Sequence, residues 1–304
     1  MLSVIINTKN AADTLARTLE SVEFADEVIV VDQHSTDRTL EIASHHNAKV
    51  FLFDDLGRVE PEARNFALRQ TTQAWVLVVD ADEVVPPTLA EEITRLLNRS
   101  TPEVGGYLIP RRNLIFGDWI KHSGWWPDYQ LRLFRREGAR WERGVHAQAH
   151  VVGLVKKLPP NPTLALVHHN YQTVSDFVQR MDRYSEIKVK ELGPRKETKE
   201  LVSSKLLDNF FDEWFRRLFV GRAYLDGGRG VALSFLQSTY ELLVELKRWE
   251  AGGFYETNKN HARLVNQKLF RFKKDLSYWL ADYQVKHSSG VRQFYWKIRR
   301  KLKI

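Results

Sequence analysis

The chain contains no cysteine, which removes disulfides, thiolate metal sites and a cysteine nucleophile together. Such a chain is expected in a reducing compartment. Long apolar runs are also missing. Crossing a bilayer takes roughly 20 apolar residues, and the charge-free run at 231–240 is half that length. No basic segment followed by an apolar one precedes the strand-like start at Met1, so no secretion signal is expected and cytoplasm is the expected location. Acids are absent from residues 290–304, where Arg292, Lys297, Arg299, Arg300, Lys301 and Lys303 interleave with Phe294, Tyr295 and Trp296. A basic-aromatic tail of this kind suits an anionic membrane surface; nucleic-acid phosphates and a plain solvated end are the alternatives. No recognisable nucleic-acid module accompanies it, so no nucleic acid is expected as a partner. Internal repeats and low-complexity tracts are lacking as well.

What is present is a net charge of +8 on 304 residues, enough chain for one large core or two modest ones. Residues 2–6, 27–31, 49–53 and 74–79 read as strands, and 11–22, 35–46 and 60–70 as helices between them. Such alternation predicts a parallel sheet with helices on both faces. Ser35, Thr36 and Asp37 suit a first helical turn, and Thr88 with Glu91 three residues on predicts a capping box. Shorter strands with Trp- and Gly-rich connections follow over 107–155, predicting a mixed or antiparallel edge whose tryptophans either stack on sugar rings or fill core gaps. After Thr173 the pattern is helical, over 176–190, 203–222, 231–249 and 258–286. The expected division is therefore 1–172 for a catalytic α/β domain and 173–304 for a helical extension. In that extension Phe210, Phe211, Trp214, Phe215, Leu218 and Phe219 form an apolar stripe that packs on the core, pairs with another subunit or lies in a membrane interface.

The most informative segment is Asp80-Ala81-Asp82-Glu83, directly after the apolar run 74–79. A β-branched run reads as a buried parallel strand, and such sheets bind ligands beyond the carboxyl ends of their strands. Side chains two apart on an extended segment point the same way, so Asp80 and Asp82 can share one divalent cation, which in turn can hold a diphosphate. The alternative is an acidic turn that helps start the helix at Pro86-Pro87.

Ser3-Val4-Ile5-Ile6-Asn7-Thr8-Lys9-Asn10, Val30-Val31-Asp32-Gln33-His34-Ser35-Thr36-Asp37, Ala63-Arg64-Asn65-Phe66-Ala67-Leu68 and Asp80-Ala81-Asp82-Glu83, in that order, resemble the signatures of family-2 inverting glycosyltransferases. The run from Gly124 to Phe134, Gly-Trp-Trp-Pro-Asp-Tyr-Gln-Leu-Arg-Leu-Phe, is similar to the branch containing lipopolysaccharide core β-glucosyltransferases. The resemblance covers about the first 190 residues and the remainder only loosely. It implies a GT-A fold, a Rossmann-like mixed sheet flanked by helices, here with a C-terminal helical extension. The implied activity is metal-dependent transfer of a sugar from a nucleotide donor, UDP-linked by expectation, to a membrane-associated glycan or lipid-linked acceptor in cell-envelope polysaccharide synthesis.

The same resemblance implies site residues. Thr8, Asn10, Asp32, Arg64, Asp80, Ala81 and Asp82 would hold the donor, and Asp80 and Asp82 with His168 would hold Mg2+ or Mn2+. Glu83 would orient a neighbour or cap the next helix. In the similar enzymes the segment Val145-His146-Ala147 reads Val-His-Glu, with the glutamate a plausible base; Ala147 cannot take a proton. Asp128 is the expected substitute and His146 the next. A catalytically impaired nucleotide-sugar binder, and a transferase acting on a protein or soluble glycan with the helical region forming a homo-oligomer, are the rival expectations. Residence on the inner face of the cell membrane, through the tail, is the expected refinement of the cytoplasmic location.

Overall fold

The computed structural model describes residues 1–54, 60–142, 149–194, 202–255 and 261–303, which fall into two compact units. The first comprises Met1–Lys121 and Trp125–Gln172; the second comprises His122–Gly124 and Thr173–Ile304.

In the first unit the chain runs β1 (Leu2–Thr8), α1 (Leu15–Glu20), β2 (Glu27–Asp32), α2 (Thr39–His45), β3 (Lys49–Leu52), α3 (Glu60–Gln70) and β4 (Trp75–Val78). It continues through β5 (Glu83–Val84), α4 (Pro87–Arg99), β6 (Val104–Ile115), β7 (Asp118–Trp119), β8 (Asp128–Arg135), β9 (Arg140–Trp141), β10 (Ala149–His150), β11 (Leu154–Lys157) and β12 (Leu166–His169). The main sheet has the order β3-β2-β1-β4-β8-β6-β12-β5. Its first four strands are mutually parallel, built by βαβ crossovers. From β4 to β8 and from β8 to β6 the pairing is antiparallel, so the sheet is mixed.

The apolar runs become central strands because both faces are covered. Val4 and Ile6 join Leu15, Leu19, Leu77, Leu89 and Ile93 on one face, while Ile5, between them in sequence, joins Ile29, Val31, Val76 and Phe134 on the other. β11 and β12 pair in turn with the same edge of β6, at Val104–Leu108 and Arg111–Leu114. Pro110 sits between the two partners, where a residue without an N–H leaves no ladder bond unmade. At the opposite end of the parallel strands, the buried Glu27 accepts from Ser3 Oγ at 2.6 Å, Lys49 Nζ at 2.8 Å and Thr72 N at 2.9 Å.

Three local expectations need correction: the second helix, expected over 35–46 with Ser35, Thr36 and Asp37 in its first turn, is Thr39–His45, preceded by Arg38. The first helix, expected over 11–22, has only Leu15–Glu20 as regular helix. No capping box forms at Thr88: α4 begins at Pro87, whose missing N–H suits a first turn, and the Thr88 hydroxyl donates to the Thr163 carbonyl at 2.5 Å instead.

The second unit is helical, with α5 (Val174–Leu192), α6 (Val202–Phe215), α7 (Gly227–Ala251), α8 (His261–His287) and α9 (Gly290–Leu302). Thr173 caps α5 by accepting from Asp176 N, and Gly193 ends it with φ +73°. A wider five-residue turn, Arg216–Val220, carries α6 onward. Of the three fates open to the aromatic stripe, the structure shows intramolecular packing: Phe211, Trp214 and Phe215 meet Phe272 of α8, and Phe219 stacks on Trp279 at 5.8 Å between centroids. His122 belongs here because its backbone N–H and Nδ1 both bond the Asp226 carboxylate. The basic tail, which the sequence alone left without a regular element, is the helix α9.

Candidate active site

Cross-strand register assembles the polar face of the mixed half of the sheet, where β6 is antiparallel to β8 and parallel to β12. Arg111 on β6 pairs with Asp128 on β8, and Asn113 on β6, His168 on β12 and Glu83 on β5 lie opposite one another in consecutive strands. Because side chains alternate along a strand, Arg111 and Asn113 share a face, as do Asp128, Gln130 and Arg132. The segment after β4 brings Asp80 and Asp82 to the same edge, and α3 contributes Arg64.

The Asp80 carboxylate receives Arg64 Nη2 at 3.2 Å and Arg132 Nη1 at 3.1 Å, with Arg132 Nη2 in contact with its second oxygen and Arg111 Nη1 at 3.8 Å. Glu83, fully buried, accepts from Arg132 Nη2 at 2.8 Å, Arg111 Nη1 at 3.2 Å and the Asp80 backbone N–H at 3.0 Å. Burial works to raise the Asp80 carboxyl, but the charges of Arg132 and Arg64 outweigh it and hold the group well below the usual carboxylate range. Asp128 accepts from Arg111 Nε at 2.8 Å and Nη2 at 2.6 Å, from Asn113 Nδ2 at 3.1 Å and from Gln130 Nε2 at 2.8 Å. Burial again opposes, and Arg111 again wins, so Asp128 also sits below its ordinary range.

The orientation of the Asn113 amide follows from its partners. Its nitrogen donates both to Asp128 and to the Trp125 carbonyl at 3.0 Å, so its oxygen is the atom 2.6 Å from His168 Nδ1. His168 Nδ1 therefore carries the hydrogen. Nε2 is left facing Asp82 Oδ1 across 3.5 Å, too far for a good hydrogen bond. In a neutral ring that nitrogen presents a lone pair to a carboxylate oxygen, and two such donors turned toward one point suit a shared divalent cation. Among the described residues no group of three or more His, Asp or Glu converges as a ready-made metal cage.

The two aspartates expected to share the cation are thus not equivalent. Asp80 is the acceptor at the centre of an arginine cluster, and Asp82 is the one that meets His168. Arg64 reaches Asp80. Ala81 contributes its carbonyl, which accepts from Thr18 Oγ1 at 3.0 Å. Asp32, fully buried, accepts from Ser35 N at 2.8 Å and from the Ser35 hydroxyl. Asn10, at φ +50°, accepts from Thr36 N at 2.8 Å and gives its own N–H to Ser35 Oγ. Asp32 and Asn10 therefore tie the loops after β1 and β2 to each other. Thr8 is buried at the end of β1, and its Oγ1 and both amide atoms of Asn7 have no hydrogen-bond partner among the described residues. His146 and Ala147 lie outside the described residues.

A profile of the family described as Glycosyl transferase family 2 matches residues 3–152, which take in the parallel half from Ser3 onward and both aspartates. An uncharacterized glycosyltransferase of Rickettsia bellii is 30% identical over 241 residues, 72% of this chain and 78% of the relative. The chain belongs to glycosyl transferase family 2. A lipopolysaccharide core biosynthesis glycosyltransferase, LpsC of Rhizobium meliloti, is 27% identical over 192 residues, 62% of this chain and 70% of that one. Among solved structures, a mannosyltransferase from Pyrobaculum calidifontis, in complex with GDP-Man and Mn2+, aligns with a TM-score of 0.43 at 19% identity, over 99% of this chain and 86% of that one. A mixed sheet flanked by helices, followed by C-terminal helices, is the GT-A arrangement expected of the family, and the chain is a glycosyltransferase by membership.

Arg111, Asn113 and Arg132 were not singled out from the sequence. Their signal was there: Asp128-x-Gln130-x-Arg132 and Arg111-x-Asn113 are polar residues at period two inside strands otherwise rich in Leu, Ile and Phe. Such an alternation marks a polar face that continues inward from a sheet edge.

Proposed function

We propose that the chain transfers a sugar, with inversion, from a UDP-linked donor to a membrane-associated glycan or lipid-linked acceptor of the kind used in cell-envelope polysaccharide synthesis. The observation that carries this reading is the Asp82–His168 pair, oriented by Asn113 and placed beside the end of β4. Asp82 Oδ1 and His168 Nε2 would hold Mg2+ or Mn2+ together with the donor's diphosphate. When bound, the cation offsets the negative charge that grows on the departing nucleoside diphosphate.

The remaining steps belong to side chains. Thr8 Oγ1 and the Asn7 amide supply buried donors and acceptors for the nucleotide at the end of β1. Arg64, Arg111 and Arg132 keep Asp80 ionised, and Arg111 and Arg132 hold Glu83 in place, which fixes the backbone leading to Asp82. Inversion requires the acceptor oxygen to displace the diphosphate in one step while its proton passes to a base. Asp128 is poorly suited to that task, being held by four N–H groups and kept low by Arg111. It is better read as a positioning residue, which leaves His146 as the candidate acceptor of the proton.

Similarity to a lipopolysaccharide core enzyme supports the acceptor class, as does the basic tail. Location on the inner membrane face follows from the same reading. A second reading, a nucleotide-sugar binder with little turnover, is favoured by Ala147 alone. Thermal stabilisation by UDP and UDP-sugars, with and without Mn2+, tests the donor site: Asp82→Asn and His168→Ala should each abolish the part that depends on Mn2+. No Mn2+-dependent stabilisation by any nucleotide in the unaltered chain would refute the proposal, and measurable sugar transfer would eliminate the binder reading.

A further inference from the structure

The α9 helix is amphipathic in the reverse of the usual sense. Its polar side faces its own protein: Arg300 Nη1 bonds Asp282 at 2.8 Å, Gln293 Nε2 bonds the Val285 carbonyl at 3.1 Å, and Lys303 Nζ lies 3.6 Å from Asp275, all on α8. Val291, Phe294, Tyr295, Ile298 and Leu302, spaced at three, four, seven and eleven residues from the first, fall within an arc of about 100° on the opposite side. They are 44% to 87% exposed, and no residue of α9 is buried. Arg292 and Arg299 flank the arc on one side, Lys297 and Lys301 on the other.

Charge identifies what such a surface meets. Residues 261–303, covering α8 and α9, hold twelve Lys and Arg against only Asp275 and Asp282, a net +10, so the remainder of the chain is −2. All the excess positive charge of the protein lies on this helical pair. Two copies meeting through α9 would bring +10 against +10. A phosphate backbone would seek the basic residues, yet the centre of the exposed arc is aliphatic and aromatic. An apolar strip with basic flanks matches a bilayer whose surface is anionic: the strip enters the acyl boundary and the flanks meet headgroup phosphates.

We propose that α9 is an in-plane membrane-docking helix that inserts Val291, Phe294, Tyr295, Ile298 and Leu302 into an anionic lipid surface. This rests on the reading of a membrane-associated acceptor and deepens it by naming the face and the lipid charge. Co-sedimentation of the full chain with vesicles of phosphatidylcholine, and of phosphatidylcholine mixed with phosphatidylglycerol, tests it. The unaltered chain should bind the mixed vesicles and not the neutral ones, and a rise in salt should release it. Lys297→Gln with Lys301→Gln should weaken partitioning about 30-fold, taking roughly one decade and a half for two basic residues at the surface. Phe294→Ser with Ile298→Ser should weaken it at least as much. Both pairs should keep the far-UV dichroism and UDP-dependent stabilisation of the parent, which separates docking from the donor site. Vesicle binding that persists without any UDP stabilisation would support docking while sinking the donor reading. Equal vesicle binding by parent and variants would overturn the proposal. So would failure of the parent to bind, conversion of a dimer to a monomer by the Phe294/Ile298 pair without a change in lipid binding, or loss of nucleic-acid binding in its place.

Discussion

Arg132 is the residue whose removal should cost most. It is 4% exposed, and its guanidinium bridges two carboxylates, Asp80 and Glu83, that also share Arg111. Arg132→Met keeps much of the aliphatic volume but leaves Glu83, with no solvent contact, against Asp80 with one cation fewer. Breaking a buried ion pair by removing one partner typically costs about 3–5 kcal/mol, because a charge is stranded, and whole-domain stability is only about 5–15 kcal/mol. Urea denaturation at neutral pH should therefore lose about 3 kcal/mol or more. Adding Glu83→Gln should recover part of that loss, since the second change removes the stranded charge. The pH dependence has a definite sign. In the unaltered protein Asp80 has a depressed pKa, so its ion pairs stabilise the fold above the ordinary carboxylate range and are lost as the pH falls through the lower folded value. In the variant Asp80 loses the charge that does most to lower it, so the deficit should shrink as the pH falls through the ordinary carboxylate range. A loss under about 1 kcal/mol at neutral pH, or no rescue by Glu83→Gln, would refute the claim that Arg132 neutralises Asp80 and the buried Glu83 together.

Three further outcomes are expected. Asn113→Leu should leave the fold intact but lower Mn2+-linked UDP binding about 10- to 100-fold, read by calorimetry, because His168 loses the acceptor that fixes which ring nitrogen faces Asp82; unchanged affinity would remove His168 from the site. Glu27→Gln should destabilise by about 2 kcal/mol, discounted for the exposed Lys49 partner, in thermal or urea melts. Burial works against Glu27 ionisation, but Lys49, Ser3 and Thr72 lower its pKa to about 2, so this contribution is full above pH 4.5 and fades between 4.5 and about 2; a pH-independent difference over that window would refute the assignment. Ala147→Glu should raise turnover about 10²- to 10⁴-fold in a sugar-transfer assay if proton removal limits the reaction, and His146→Ala should lower it; no response to either change would place the base elsewhere.

The parallel half of the sheet was legible because its signal is local. Strands buried on both faces must be apolar throughout, and the helices between them must carry a 3.6-residue period, so residues 2–79 spell out their own alternation. Helix ends were less legible. Thr88 and Glu91 have the spacing of a capping box, but Pro87 supplies a competing start and Thr163, seventy-five residues away, takes the hydroxyl. The mixed half was harder still: β5 has two residues and β12 four, and what holds them is the partner strand rather than their own pattern. The tail illustrates the converse. Its composition marked a surface-seeking segment, but only the hydrogen bonds of Arg300 and Gln293 to α8 reveal which side of the helix is turned outward.

The same distinction governs the acidic motif. Asp80 and Asp82 are two residues apart, and sequence spacing treats them as a matched pair for one cation. Their partners differ because they come from strands far away in the chain: Arg132 from β8 reaches Asp80, while His168 from β12 reaches Asp82. A carboxylate surrounded by three guanidinium groups gains little from a further cation, since its charge is already offset and the arginines would repel the ion. Asp82 faces an imidazole nitrogen whose other side is fixed by Asn113. Exchange of the two positions tests the division directly. Asp80→Asn should chiefly lower stability, because Arg64, Arg111 and Arg132 lose a shared anion, whereas Asp82→Asn should chiefly lower Mn2+-linked nucleotide affinity. Equal effects of the two substitutions on both measurements would mean that the aspartates do act as one matched pair.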